Sequence, residues 1–135
     1  MENKINKIKQ TESIKKTDAG YPEEISKDIL NDLQKIPEGK AGIVVIKGPN
    51  VGEKFFLIKP KFEIGRSHDS DILLDDVTVS RKHAVLDKVG NDYIISDLNS
   101  LNGTYVNSEI VNNSKLKNGD KIQIGKYIFL FFHSK

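Results

Sequence analysis

The sequence contains no cysteine and no tryptophan, and it has only one methionine and four prolines among its 135 residues. The absence of cysteine excludes a disulfide framework, a cysteine-ligated zinc site and a cysteine nucleophile. Long apolar runs are also missing, since the longest, 127–132, is far shorter than the roughly 20 residues that cross a bilayer. Residues 1–10 are rich in Lys and Asn and lack the apolar core of a secretion signal. We therefore expect a cytoplasmic protein that contacts no membrane.

No excess of one charge sign is present either, because 21 Lys and Arg balance 19 Asp and Glu to a net charge of +2. This balance excludes the broad basic surface that binds nucleic acid. The sequence also lacks a glycine-rich loop ending in Lys-Ser or Lys-Thr, so it gives no sign of a nucleotide-hydrolysing site. We expect no cofactor and no metal, and any anion must be bound by a few placed residues.

Composition divides the chain near residue 40. Residues 1–40 hold 11 hydrophobic residues (28%), whereas residues 41–135 hold 39 (41%). The first segment has too few apolar residues for a core of its own, so 1–40 is predicted to be a mostly disordered tail and 41–135 a single domain. Within the tail, apolar residues at helical spacing after Pro22 predict a short helix over 22–36.

Beyond the tail, ten short runs rich in β-branched and aromatic residues alternate with turn-forming residues. The runs are Gly42–Lys47, Lys54–Ile58, Lys61–Ile64, Asp71–Leu74, Ala84–Lys88, Asp92–Asp97, Thr104–Val106, Glu109–Ile110, Lys121–Ile124 and Tyr127–His133. Their number and spacing predict an all-β fold, either an antiparallel sandwich or a barrel. No strand–helix–strand alternation appears, which argues against a doubly wound α/β fold.

Three of the predicted loops concentrate hydrogen-bond donors between apolar strands. They are residues 64–67, 77–83 and 99–104. The loops of a sandwich cluster at its two ends and often carry function. If these three share one end, they bring together two guanidiniums, of Arg66 and Arg81, with hydroxyls that include those of Ser80 and Ser100 and with the amide of Asn102. Such a set suits a phosphate dianion, because arginine presents a fork that matches phosphate oxygens while hydroxyl and backbone N–H groups bond the remaining lone pairs.

The order and spacing of these residues resemble those of the forkhead-associated (FHA) domain, over essentially all of 41–135. The matching elements are Gly65-Arg66, Ser80-Arg81-Lys82-His83, Asp97-Leu98-Asn99-Ser100, Asn102-Gly103-Thr104 and Asn118-Gly119-Asp120 with Ile122 and Gly125. The resemblance implies an antiparallel β-sandwich of about eleven strands. It also implies a non-enzymatic adaptor that binds phosphothreonine peptides.

The resemblance assigns a role to each matching residue. It implies phosphothreonine binding by Arg66, Ser80, Arg81, Ser100, Leu101 and Asn102, with structural support from Gly65, His83 and Gly103. In the family, the residues matching Arg66 and Ser80 contact the phosphate, and the residue matching Asn102 holds the peptide backbone. Many members have threonine immediately before that asparagine, where this chain has Leu101, so one hydroxyl contact of the family is missing.

Each feature also has an ordinary explanation when it is taken alone. A Gly-Arg pair is often only a turn with a solvated cation, and Asn-Gly is a common hairpin turn. The acidic stretch 69–76 lacks the pattern of a calcium loop and is explained by turn formation. Ser80, His83 and Asp97 could suggest a hydrolytic triad, but no nucleophile elbow surrounds Ser80. We therefore expect a binding module rather than an enzyme or a DNA-binding protein.

Several longer stretches narrow the resemblance to one actinobacterial subfamily, the oxoglutarate dehydrogenase inhibitors, also called glycogen accumulation regulators. The stretches are 48–52, 66–72, 74–81 and 100–107. This resemblance implies that the unphosphorylated domain binds and inhibits the E1 component of oxoglutarate dehydrogenase and affects enzymes of glutamate metabolism. The alternative is a generic FHA adaptor that recruits another phosphoprotein, such as a Ser/Thr kinase or a secretion or envelope component.

In that subfamily a Ser/Thr kinase phosphorylates a threonine of the tail, which then occupies the chain's own FHA pocket. Here Thr11 and Thr17 are the only threonines of the tail, and the adjacent Thr-Thr pair of the subfamily is absent. The 24 residues from Thr17 to Ala41 would span about 27 Å as a flexible chain, which is comparable with the diameter of the domain. The sequence thus predicts a monomer able to capture its own tail, with two incidental threonines as the alternative.

Overall fold

A computed structural model describes residues 25–134 of the chain. The chain divides into two compact units, of which one ends at Lys35 and the other begins at Ile36. Thr11, Thr17 and the rest of residues 1–24 of the predicted tail lie outside the described residues. Among residues 25–134, no helix is long and apolar enough to cross a membrane.

The described part of the first unit contains the helix α1 (Lys27–Gln34). Ser26 is extended, and its side chain accepts a hydrogen bond of 3.3 Å from the Ile29 N–H, which caps the helix. Asp28 in the first turn interacts favourably with the helix dipole. The tail helix is confirmed, but it begins later than the predicted range 22–36 because Ser26 is its cap.

Eleven strands lie within the described part of the second unit, as the resemblance predicts. They are β1 (Ala41–Lys47), β2 (Lys54–Phe56), β3 (Lys61–Gly65), β4 (Ile72–Leu73), β5 (Ala84–Val89), β6 (Asp92–Asp97), β7 (Thr104–Val106), β8 (Glu109–Val111), β9 (Asn113–Lys115), β10 (Lys121–Ile124) and β11 (Tyr127–His133). Ten of them coincide with the ten predicted runs to within a few residues. The eleventh is β9, which contains no apolar residue and is held by antiparallel pairing with β6.

The strands form two sheets that pack as a β-sandwich. One sheet has the order β2-β1-β11-β10-β7-β8, and the other has the order β4-β3-β5-β6-β9. The pairs are antiparallel except for the short parallel pair of β3 and β4. The predicted antiparallel sandwich is therefore confirmed.

The core lies between the sheets and is built from alternate residues of each strand. On β11, Phe129 and Phe131 are almost completely buried, and on the adjacent strand β1 of the same sheet Val45 and Ile43 are their cross-strand partners in the core. From the opposite sheet, Leu86 completes the contact with 1% of its surface exposed. Burial of such side chains is the main favourable contribution to folding, at about 25 cal/mol for each Å² of apolar surface removed from water.

The register of the strands brings the three donor-rich loops to the same end of the sandwich. Ile64 near the end of β3 pairs with Ala84 at the start of β5, and Ala84 pairs with Asp97 at the end of β6. In the other sheet, Thr104 at the start of β7 pairs with Ile124 at the end of β10. The β3–β4, β4–β5 and β6–β7 loops therefore meet where these strands end.

Candidate functional site

Arg66 is the first residue after β3, and it is held against the β4–β5 loop. Its backbone N–H donates to the Ser80 carbonyl at 3.0 Å, and its side-chain Nε donates to the Val79 carbonyl at 3.0 Å. The Nε bond fixes the plane of the guanidinium and leaves both terminal nitrogens available for another acceptor. Gly65 permits this approach, because a Cβ at that position would collide with the carbonyl oxygen of Arg81.

His83 connects the β4–β5 loop to the β6–β7 loop from a fully buried position. Its Nδ1 accepts a hydrogen bond from the Ser80 N–H at 3.0 Å, and its Nε2 lies 2.8 Å from the carbonyl oxygen of Gly103. Because an amide N–H can only donate and a carbonyl can only accept, the ring proton belongs on Nε2. Gly103 adopts φ +86°, a conformation that favours glycine, and thereby presents its carbonyl to the ring.

These contacts also argue against a hydrolytic triad of Ser80, His83 and Asp97. Both ring nitrogens of His83 are bonded to main-chain groups, and neither is bonded to the Ser80 hydroxyl. A catalytic triad requires the histidine to accept the proton of the serine hydroxyl. His83 therefore braces two loops, as the resemblance implies, and does not activate Ser80.

The Ser80 hydroxyl lies at the junction of the two loops. Its oxygen accepts a hydrogen bond of 3.0 Å from the Leu101 N–H, and the hydroxyl keeps its own hydrogen to donate. In the residue after Leu101, the side-chain amide of Asn102 donates to the Thr78 carbonyl at 3.0 Å. The side chain of Leu101 itself is 89% exposed, so its main-chain N–H, and not its side chain, contributes to the loop junction.

Arg66 and Arg81 line one open cleft of about 340 Å³, together with Ser67, His68 and Asp75. Two guanidiniums at one cleft favour an anion with several acceptor oxygens. Asn102 lines a different groove of about 330 Å³, which lies between the β4–β5 loop and the β10–β11 turn. The two predicted arginines thus line one depression and Asn102 lines another, while Ser80, Ser100 and Leu101 lie in the loops and line neither.

Ser100 makes its hydrogen bonds within the β6–β7 loop and its flanking strands. Its hydroxyl donates to Asp97 Oδ1 at 2.6 Å and accepts from the Gly103 N–H at 2.9 Å. Asp97 also accepts from the Ser100 N–H at 3.0 Å and from the Thr104 hydroxyl at 2.7 Å. Burial raises the pKa of Asp97, but the hydrogen bonds from Ser100 and Thr104 lower it more, and the net pKa is below the usual range. The Ser100 hydroxyl therefore shapes the loop.

A second cluster, formed by Asp76, Thr78 and Lys126, supports the site and was not singled out from the sequence. The Thr78 hydroxyl donates to Asp76 and accepts from the Lys126 N–H, and Lys126 Nζ lies 2.8 Å from Asp76 Oδ1. The cluster ties the β10–β11 turn to the loop whose Thr78 carbonyl holds the Asn102 amide. The hydrogen bonds from Lys126 and Thr78 lower the pKa of Asp76 to about 2.

The Asp76 carboxylate makes the stability of this cluster depend on pH. Its pKa is about 2 in the folded chain against 3.8 as the ordinary value, so its contribution is complete above pH 3.8 and is lost as the pH falls through 2. We expect Asp76→Asn to lower the free energy of unfolding at pH 7 and to lose this effect near pH 2. Urea denaturation over a pH series measures the difference. Asp75→Asn removes a neighbouring charge as a control, and a difference for Asp76→Asn that persists unchanged to pH 2 would contradict the assignment.

The sequence of the chain matches a known protein family and several known proteins, and these matches are consistent with the β-sandwich fold. The family model of the FHA domain matches residues 62–125. The oxoglutarate dehydrogenase inhibitor of Corynebacterium jeikeium is 52% identical over 101 residues, which cover 75% of this chain and 70% of that protein. The glycogen accumulation regulator GarA of Mycolicibacterium smegmatis is 48% identical over 102 residues, covering 76% of this chain and 65% of that protein. The chain thus matches only about two thirds of the length of these relatives.

Solved structures share the same architecture. One, from a structural and functional analysis of phosphothreonine-dependent FHA domain interactions, has a TM-score of 0.66 at 29% identity and covers 71% of this chain and 98% of its own. Mycobacterium tuberculosis EmbR in complex with a low affinity phosphopeptide has a TM-score of 0.68 at 35% identity, covering 78% of this chain and 28% of its own. The fold is a β-sandwich with its donor-rich loops at one end. The chain belongs to the FHA domain family.

Proposed function

We propose that this protein is a phosphothreonine-peptide-binding regulatory adaptor, without catalytic activity, that inhibits oxoglutarate dehydrogenase. The observation that carries the proposal is the tethered guanidinium of Arg66, which shares a cleft with Arg81 and whose backbone N–H is bonded to the Ser80 carbonyl. A phosphothreonine carries about −1.5 to −2 charges and three acceptor oxygens. The two arginines and the hydroxyl match these oxygens in number and in charge.

In the proposed complex, the terminal nitrogens of Arg66 and the hydroxyl of Ser80 bind the phosphate, and Arg81 adds a second cation. The Leu101 N–H contributes at the loop junction, and Asn102 exchanges its bond to the Thr78 carbonyl for bonds to the peptide backbone. Ser100 contributes by holding the loop that carries both residues. An unphosphorylated threonine offers these donors almost nothing, so the phosphate acts as the switch. Burial of the threonine methyl favours phosphothreonine over phosphoserine by about 0.8 kcal/mol.

The target follows from the relatives, whose names describe an oxoglutarate dehydrogenase inhibitor and a regulator of glycogen accumulation. We extend this role to the present chain, with the E1 component and glutamate-metabolism enzymes as cytoplasmic partners of the unphosphorylated monomer. A Ser/Thr kinase that phosphorylates Thr17 or Thr11 would place a phosphothreonine on a short tether, at an effective concentration of about millimolar. The tail would then occupy the site and release the enzyme.

The second candidate function is that of a generic adaptor, which recruits other phosphoproteins. It is favoured by another similar structure, the FhaA FHA domain complexed with the intracellular domain of Rv3910, at 31% identity and a TM-score of 0.62. That complex shows an FHA domain engaged with a different protein. A chain of this second kind would gain partners when they are phosphorylated and would not respond to phosphorylation of its own tail.

The test compares the untreated chain with the kinase-treated chain in an oxoglutarate dehydrogenase assay. We expect the untreated chain to inhibit and the treated chain to lose nearly all inhibition, whereas treated Thr17→Ala, or Thr11→Ala if that threonine is the one modified, stays inhibitory. Calorimetry with a synthetic peptide of residues 11–23 phosphorylated at Thr17 measures capture directly, and the unphosphorylated peptide is the control. Equal inhibition before and after treatment would exclude the switch. Peptide binding without any inhibition would favour the generic adaptor.

A further inference from the structure

Asn102 is followed by Gly103, and the sequence contains one other Asn-Gly pair, at Asn118–Gly119. An asparagine before glycine is chemically labile, because glycine has no side chain to hinder attack of its backbone nitrogen on the asparagine side chain. Asn102 is exposed to solvent, so water can reach it. Asn102, which is assigned to peptide binding, therefore occupies a position where its side-chain amide can be lost by a chemical reaction with the next residue.

The reaction at this position is deamidation. The backbone nitrogen of Gly103 attacks Cγ of Asn102, the new N–Cγ bond forms, and the Cγ–Nδ2 bond breaks. The proton of the Gly103 nitrogen goes to the leaving group, which departs as ammonia. Water then opens the five-membered imide at one carbonyl or the other, giving aspartate or isoaspartate. The step requires a free Gly103 nitrogen and a side chain that can rotate onto it.

In the structure, one hydrogen bond holds the Gly103 nitrogen and another holds the Asn102 side chain, so neither requirement is met. The Gly103 N–H donates to the Ser100 hydroxyl at 2.9 Å, and the Asn102 side-chain amide donates to the Thr78 carbonyl at 3.0 Å. We infer that Asn102 is a latent deamidation site that these two hydrogen bonds keep closed, with Ser100 as the positioning residue that withholds the attacking nitrogen. This gives the Ser100–Asp97 pair a chemical role in addition to its role in loop shape.

Asn118–Gly119 provides a control within the same chain. There the Gly119 N–H donates to the Phe131 carbonyl at 2.8 Å, and the Asn118 side-chain oxygen accepts from the His133 N–H at 2.8 Å. Both partners of this pair are main-chain groups of β11. Loss of the Ser100 hydroxyl therefore removes one of the two restraints at Asn102, the bond to the Gly103 N–H, and leaves the restraints at Asn118 in place.

The experiment follows deamidation of Ser100→Ala and of the wild-type chain during incubation in mildly alkaline buffer. Tryptic peptides that carry Asn102 and Asn118 are quantified by mass spectrometry, with fragment ions locating the modified residue. We expect conversion at Asn102 to be about fivefold faster in Ser100→Ala, the factor that corresponds to one lost hydrogen bond, with no change at Asn118. Ser100→Thr, which keeps the hydroxyl, should react at the wild-type rate.

Equal rates at Asn102 in the two proteins would overturn the inference. A parallel increase at Asn118 would also overturn it, because it would mean that the variant simply unfolds more often. The effect of deamidation on binding rests on the proposed phosphopeptide site. Deamidation replaces the amide donor of Asn102 by a carboxylate, which repels the phosphate. The isolated deamidated chain should therefore bind the phosphorylated tail peptide at least tenfold more weakly. Since the rates are measured without any peptide, failure of the proposed function and failure of this inference are distinguishable.

Discussion

Arg66→Ala is expected to reduce binding of a phosphothreonine peptide by about a hundredfold or more, because each hydrogen bond between charged groups contributes about 1.5 to 3 kcal/mol. The guanidinium plane is already fixed by its Nε bond to the Val79 carbonyl, so little freedom is lost when the terminal nitrogens bind the phosphate. The domain should stay folded, since the backbone bond from Arg66 to the Ser80 carbonyl does not depend on the side chain. Calorimetry gives the affinity, and circular dichroism checks the fold.

Matched variants separate the phosphate contact from a general loss of charge. Lys61→Ala removes a positive charge at the far end of the same strand, β3, and should leave the affinity unchanged. Arg66→Lys keeps the charge but loses the fork and the Nε bond, so its affinity should fall between those of wild type and Arg66→Ala. Ser80→Ala should also weaken binding strongly and, in addition, leaves the Leu101 N–H without its acceptor. Full-strength binding by Arg66→Ala would exclude the site.

Most of the fold could be predicted because the buried strands leave short runs of β-branched and aromatic residues, separated by turn residues, in the sequence. β1 and β11 were readable from the sequence because they are long and rich in β-branched or aromatic residues. β9 was not readable, because Asn113–Lys115 has no apolar residue and exists through its hydrogen bonds to β6. The start of the tail helix was misplaced for a related reason, since a serine cap acts through one side-chain bond and adds nothing to the apolar pattern.

The candidate site could be predicted as a set of residues but not as a set of contacts. Loop residues with donors are visible in the sequence, whereas the partner of each donor depends on strand register. The direction of the Ser100 hydroxyl follows from its position opposite Asp97 and Gly103. The link between Thr78 and Lys126 joins residues 48 positions apart, and no local pattern records it. The resemblance predicts which residues form the site, and the hydrogen bonds of the structure then show which of them hold the loops together.

His83→Leu is expected to lower the free energy of unfolding by about 2 to 6 kcal/mol, because each buried polar group left without a partner costs about 1 to 3 kcal/mol. The groups concerned are the Ser80 N–H and the Gly103 carbonyl, which the ring joins from a fully buried position. Leucine fills most of the same volume, so the loss reports the two hydrogen bonds and not an empty cavity. Urea denaturation measures the change in stability.

The same substitution should weaken phosphopeptide binding of the molecules that remain folded, because His83 fixes the distance between the loop that carries Ser80 and the loop that carries Asn102. Leu86→Ala is the matched control: it lies on the same strand, is 1% exposed in the core, and should cost about 2 to 5 kcal/mol of stability. Since Leu86 contacts neither loop through a hydrogen bond, the folded fraction of that variant should keep its affinity. If both variants lose stability and both keep wild-type affinity, His83 supports the fold alone, and the alignment of the two loops does not depend on its ring.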